Sequence, residues 1–243
     1  MTRAVVFAGP TLDAAAVTAA LDAEVRGPAA RGDVLRAVES GATAIGVVDG
    51  YFERVAAVWH KEILWALAKG CRVYGAASMG ALRAAELAAF GMVPVGAIAG
   101  AYLRGELTDD DEVAVAHRDA EGAYAPVSEA MVNVRATLAA ARDAGVVSAA
   151  THDGAVALVK ARFYAERQWA LVWSEGPRRG LAQDELDALK RWLPEGRVDA
   201  KRADALALVA RMRDEAGATA EAPAWKFEHT DAWEMLRRSV AGG

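Results

Sequence analysis

A single cysteine, Cys71, stands in the whole chain, so no disulfide can form within it and a reducing cytoplasm is the expected home. No run of about 18 apolar residues occurs, and no basic stretch followed by an apolar one opens the sequence, so neither a membrane span nor a signal peptide is expected. Neither charge sign dominates: 28 basic residues face 33 acidic ones for a net −5, interspersed along the chain, which argues against a nucleic-acid surface. No two histidines have metal-ligand spacing, and there is neither a phosphate-binding Walker loop nor a complete dinucleotide fingerprint. No metal and no cofactor are therefore expected. What is present is alanine, the bulk of a 54% hydrophobic fraction, which favours helix. At 243 residues the chain can bury a sizeable core without staples.

The apolar runs Ala4–Phe7, Ala44–Val48 and Val73–Ala77 read as strands, separated by helical stretches over about 12–22, 33–40 and 58–69. This order predicts an α/β fold: a parallel sheet with right-handed crossovers, flanked by helices. In such a sheet the ligand crevice lies outside the carboxyl ends of the strands, where Thr11, Asp49 and Ser78 fall. Val113–His117 is a candidate fourth strand, after the acidic run Asp109–Glu112, which reads as a solvated loop. Ser128 reads as the cap of the next helix, with Glu129 and Asn133 four apart on one side. From Thr151 the pattern is helical throughout, with breaks at Gly176-Pro177 and 194–196. The expected division is therefore an α/β core over 1–147 and an α-helical region over 148–243. The tryptophans spaced along that region read as core.

The change of period from strand to helix falls on Ser78. Ala76 and Gly80 flank it at two residues on either side, small enough for a nucleophile elbow, and the helix start offers N–H groups to an oxyanion. The competing reading is that Ser78 is an ordinary N-cap. A nucleophilic serine needs a base, and His60 or Lys61, at the start of the helix before the elbow strand, are candidates, with His117 as a competitor. Cys71 begins an apolar strand and reads as a buried, inert thiol.

The sequence resembles the TfuA-like family through several ordered blocks. They are Gly9-Pro10-Thr11-Leu12, residues 28–33, Ile45–Gly50, Val58–Ile63, Gly75–Leu87, Gly91-Met92, Asp109–Val115 and Ser128–Asn133. The resemblance is dense over about the first 145 residues and loose beyond. It implies a role in backbone thioamidation beside a YcaO-type enzyme, which uses ATP to activate an amide oxygen for replacement by sulfur. The family member would supply the sulfur, releasing sulfide from the C-terminal thiocarboxylate of a ubiquitin-like carrier protein. On that implication Ser78 is the nucleophile, His60 or Lys61 the base and Asp49 an orienting group. Gly9 and Thr11 then lie near the channel for the carrier tail, and Gly80, Arg83, Glu129 and Asn133, within the matching blocks, are assigned to substrate binding. The alternative implied function is a docking module for the YcaO-type enzyme, without chemistry of its own.

Overall fold

The computed structural model describes residues 3–52, 55–218, 220 and 223–241. Two residues of the loop at 51–55, Glu53 and Arg54, lie outside that set. The chain forms two compact units, one of residues 1–108 with 202–243 and one of residues 109–201. The boundary read from the sequence at 147/148 falls inside the second unit.

The first unit is built on a five-stranded, wholly parallel sheet in the order β2-β1-β3-β4-β5. The strands are β1 (Ala4–Phe7), β2 (Ala23–Arg26), β3 (Ala44–Val47), β4 (Arg72–Gly75) and β5 (Val93–Pro94). Successive side chains of a strand point to opposite faces, and here both faces are apolar. Val5, Phe7, Ile45, Val47 and Val73 meet α2 (Asp33–Glu39), α3 (His60–Ala68) and α4 (Met79–Leu87) on one side. Val6, Ala44, Val48 and Tyr74 meet Val17 of α1 (Ala14–Ala20) and Ala205, Leu208, Val209 and Met212 of α10 (Ala200–Asp214) on the other. Gly46 of β3 permits that second packing: a Cβ there would stand 2.6 Å from the Met212 sulfur. The closing helix α11 (Asp231–Ala241) buries Trp233 and Leu236 against Leu35 of α2.

The three strands expected from the apolar runs are β1, β3 and β4. The two edge strands were hidden, β2 because its sequence Ala-Glu-Val-Arg is only half-buried and charged, β5 because it is two residues long. Residues 113–117 are not a strand: the acidic run turns as a 3-10 helix, and within 113–117 only His117 makes a bridge, to Pro126. The sheet takes its fifth strand from Val93-Pro94 instead. In α5 (Gly96–Leu103), which follows it, Asp204 accepts the N–H groups of Ala97 at 3.0 Å and Ile98 at 2.8 Å.

The second unit is helical. Its core joins α6 (Met131–Asp143), α7 (Ala149–Lys160), α8 (Trp169–Glu175) and α9 (Gln183–Gly196) around Leu138, Leu158, Val172 and Leu189. Trp169 is part of that core, as the helical spacing of the aromatics predicted. Ser128 does not cap α6, which begins at Met131 after Ala130; its hydroxyl instead accepts the Ala116 N–H at 2.8 Å. Pro194 does not break α9 but lies inside its last turn. No helix among the described residues is long and apolar enough to cross a membrane.

Candidate active site

The order β2-β1-β3-β4-β5 reverses direction between β1 and β3, and the crevice at the carboxyl ends of these two strands is where such sheets take ligands. Three loops meet this edge. The turn after β1 carries Gly9 and Thr11, the end of β3 carries Asp49, and the end of β4 runs into Ser78.

Asp49 is 1% exposed. One carboxylate oxygen, Oδ2, accepts the backbone N–H of Gly9 at 2.9 Å and of Thr11 at 3.0 Å, while Oδ1 accepts the Thr11 hydroxyl at 2.6 Å. The charge is thus met by three neutral donors, with no cation paired to it among the described residues. Thr11 is itself buried.

The elbow is strained in a specific way. Ala77 has φ +66°, a left-handed conformation that costs a residue with a Cβ roughly 1–2 kcal/mol. The Ser78 N–H donates to the Ala76 carbonyl at 2.8 Å, closing a γ-turn about Ala77. Two glycines let the following helix approach. A Cβ on Gly80 would stand 1.7 Å from the Val47 carbonyl oxygen, and one on Gly75 would stand 2.2 Å from the Gly80 carbonyl oxygen. Such strain is kept only where surrounding structure enforces it, and it clusters at functional sites.

Ser78 occupies the N-cap position of α4, is 3% exposed and makes no side-chain capping bond. The plain N-cap reading therefore lacks its defining interaction. Of the N–H groups opening the helix, Gly80 donates to Val48 O at 3.2 Å and Ala81 to Ser78 O at 2.9 Å. Met79, directly after the serine, is left as the donor of that turn without a carbonyl partner among the described residues, the position an elbow's oxyanion donor occupies. Ladder contacts put Asp49 level with this turn: Val47 pairs with Gly75, Ala76 N–H donates to Val47 O, and Gly80 N–H to Val48 O.

The basic candidates go elsewhere. His60 Nε2 lies 2.7 Å from Glu86 Oε2, and the same oxygen accepts from Arg83 at 2.8 Å, while Arg83 Nε donates to Val58 O at 3.0 Å. Glu86 stands eight residues beyond Ser78, which is about 12 Å along a helix axis. Burial alone would raise the Glu86 carboxyl, but the bond from His60 and the Arg83 charge hold it below its ordinary value. Lys61 rests its ammonium on the Phe227 ring, 4.9 Å from the centroid. Cys71 donates its thiol to Ala42 O at 3.0 Å, and burial pushes that thiol up, as an inert core cysteine requires. A cavity of about 480 Å³ lined by Arg31, Trp59, Met235 and Leu236 touches none of Thr11, Asp49 or Ser78.

In the second unit Glu129 and Asn133 converge on one short segment. Glu129 pairs with Arg197, and Asn133 donates to Asp199 at 2.9 Å and accepts from the Lys201 N–H at 3.0 Å. Burial raises the Glu129 carboxyl, against the pull of Arg197. Their approach does not come from one helix face, since Glu129 precedes α6. His117 also belongs to this unit; its Nδ1 lies 2.6 Å from the Arg118 carbonyl.

The carboxylates of Asp109, Asp111 and Glu112 are close enough together to suggest a cation site. A lysine already fills it: Lys160 reaches Asp109 at 3.0 Å, Glu112 at 3.0 Å, and Asp111. Arg135 holds Glu112 with two bonds of 2.9 Å, and the fully buried Arg167 holds Asp111. The solvated loop expected here is an ion-pair network, because its partners come from α6, α7 and the approach to α8, far away in sequence. Glu86, Lys160 and Arg167 carried no sequence signal of these roles for the same reason.

No curated protein matches the chain. Residues 49–168 match the model of the TfuA-like protein family, a span that begins at Asp49, includes the whole elbow and leaves Gly9 and Thr11 outside. Over that span, just under half of its length, the chain is similar to the TfuA-like family, which is associated with YcaO enzymes.

Proposed function

We propose that this protein is a sulfur-delivery hydrolase of backbone thioamidation, releasing sulfide from the C-terminal thiocarboxylate of a ubiquitin-like carrier for a YcaO-type, ATP-dependent partner. The observation that carries the reading is the elbow: a buried serine behind a left-handed alanine, at the ligand edge of a parallel sheet.

The chemistry suits a serine whose neighbouring bases are engaged elsewhere. Ser78 Oγ forms the new C–O bond to the carbonyl carbon of the thiocarboxylate, and the C–S bond breaks. The hydroxyl proton ends on the departing sulfur, so an ionised thiocarboxylate leaves as hydrosulfide and the step is balanced without a net proton acceptor. The Met79 N–H supports the tetrahedral oxyanion. Water then hydrolyses the acyl ester, returning the carrier's carboxylate and Ser78. Arg83 and Glu86 lie on α4 about one and two turns beyond Ser78, with His60 of α3 bonded to Glu86; there the three can receive the carrier's folded body, and Lys61 is not needed for the chemistry.

Ser78→Ala is expected to lower sulfide release from a thiocarboxylated carrier by 10³-fold or more, roughly the loss seen when a catalytic nucleophile is removed, while the far-UV spectrum and melting point stay native. Native-rate release by that variant overturns the reading. Supplying free sulfide to the partner enzyme separates delivery from docking: delivery makes this protein dispensable, docking does not.

A further inference from the structure

Acylation of Ser78 sends its proton out with the sulfur, but the second half-reaction has no such outlet. Water attacking the acyl ester must lose a proton, and a base near the ester is required. His60 is held by Glu86 and Lys61 by Phe227. The edge that carries Ser78 nevertheless contains a base, bonded to a hydroxyl at reacting distance.

We infer that Thr11 and Asp49 form the water-activating pair of the deacylation step, Thr11 Oγ taking the water proton as its own proton passes to Asp49 Oδ1. The inference rests on the acyl-transfer reading above and adds a role for two residues that the elbow does not use. Four observations carry it. The Thr11 hydroxyl and Asp49 Oδ1 are 2.6 Å apart, within the range for a hydroxyl and its base. The base is itself oriented, because Gly9 and Thr11 N–H groups fix its other oxygen. No cation is paired with it among the described residues, its three donors being two backbone N–H groups and the Thr11 hydroxyl. Finally, β1, β3 and β4 are neighbours in register, which brings the turn after β1, Asp49 and the elbow to one sheet edge.

Other buried acids of the same unit lack this combination. Glu62 accepts the backbone N–H groups of Leu35 and Trp59, and Asp204 those of Ala97 and Ile98; neither has a side-chain hydroxyl on it. Those bonds cap helices. The Asp49 bond to Thr11 adds a group that can exchange a proton.

The step balances. A water O–H bond breaks and its oxygen bonds to the acyl carbon. The proton reaches Asp49 through Thr11, the ester C–O bond to Ser78 breaks, and Asp49 returns a proton by the same hydroxyl to Ser78 Oγ. The products are the carrier carboxylic acid, which ionises, and free enzyme.

The test is a quenched-flow measurement of sulfide with a ubiquitin-like carrier bearing a glycyl thiocarboxylate, at enzyme concentrations comparable to the carrier. Thr11→Val keeps the shape and removes the hydroxyl. It is expected to release one sulfide per enzyme at the native rate and then to turn over about 100-fold more slowly, the scale of general-base catalysis. The carrier should accumulate on Ser78 as an adduct seen by intact-protein mass spectrometry. Thr11→Ser should restore turnover, which a purely structural role of the methyl group would not. If Thr11→Val misfolds, Thr11→Ala is read by the same burst. Native steady-state turnover in the hydroxyl-free variant overturns the inference, as does an equal loss of first and later turnovers without an adduct. Sulfide release by Ser78→Ala would instead overturn the acyl-transfer reading itself, so the two failures are distinguishable.

Discussion

An acidic cluster and a single buried acid in this protein are held in opposite ways. Asp109, Asp111 and Glu112 of the second unit are met by Lys160, Arg135 and Arg167, each cation bonded directly to a carboxylate. Asp49 of the first unit, more deeply buried than any of these, is met by two backbone N–H groups and one hydroxyl. A carboxylate locked to cations is a poor proton acceptor, and its contribution goes to holding chain segments together. A carboxylate held by neutral donors, one of them a side-chain hydroxyl, has a hydrogen-bonded path along which a proton can move. The difference separates a structural network, an acidic run in sequence, from a candidate site whose single acid follows the apolar run Ala44–Val48.

The largest effect on stability should come from cutting the network at its buried cation. Arg167→Met leaves Asp111 facing an apolar group, and breaking a buried pair by removing one partner costs about 3–5 kcal/mol. Hydrogen exchange should show residues 109–201 losing protection before the sheet does; equal loss in both units would erase the comparison.

Glu112→Gln tests the same network by pH. Burial would raise the Glu112 carboxyl, but the bonds from Arg135 and Lys160 outweigh it and hold the group below its ordinary value. A carboxyl depressed in the folded state contributes stability above the unfolded value, about pH 4.3, and loses it as pH falls through the lower folded value. The variant should therefore melt below the native protein at pH 7, by about 1–3 kcal/mol, and the gap should close as the pH drops below about 4. Glu62 runs the other way. Burial raises it against three backbone N–H bonds, so the folded state is penalised above that raised value and gains as pH falls through it. A gap for Glu112→Gln that widens in acid would refute the assignment.

Ala77→Gly probes the strain at the elbow. Glycine adopts φ +66° without the Cβ penalty, so the variant should gain about 1 kcal/mol in chemical denaturation. A loss would mean that the alanine methyl, in the core beneath the sheet edge, contributes more than the strain costs.

His60→Ala should change least. Its pairing with Glu86 is half-exposed on both sides, worth about 0–1 kcal/mol, and sulfide release should fall less than about threefold if the histidine is not the base. A hundredfold fall with an altered pH profile would restore it to that role.

Much of the sheet was legible because Val5–Phe7, Ile45–Val48 and Val73–Tyr74 are apolar on both faces, a pattern only a strand buried between helix layers requires. Edge strands carry no such signature, and so Ala23–Arg26 and Val93-Pro94 were missed. The strand–turn–helix at Ser78 was legible too, since the period changes there and the small residues Ala76 and Gly80 flank it; the close backbone approaches at Gly75 and Gly80 came only with the structure. The partners of His60, Lys61, Ser128 and Glu129 were not, because each depends on a residue from another element: Glu86, Phe227, Ala116 and Arg197.

By itself, then, the order of apolar runs and small residues determined a parallel sheet, the strand–turn–helix at Ser78, and the placing of Thr11 and Asp49 on the same edge. Those properties follow from local periodicity and chain topology. Only the tertiary structure decided that Ser78 does not cap its helix, that His60 is held by Glu86, that Lys160 sits among the acids, and that Asp49 is bonded to the Thr11 hydroxyl. Each is a matter of where a side chain a few ångströms long points once distant segments meet, and hydrogen bonds and ion pairs act only over that range.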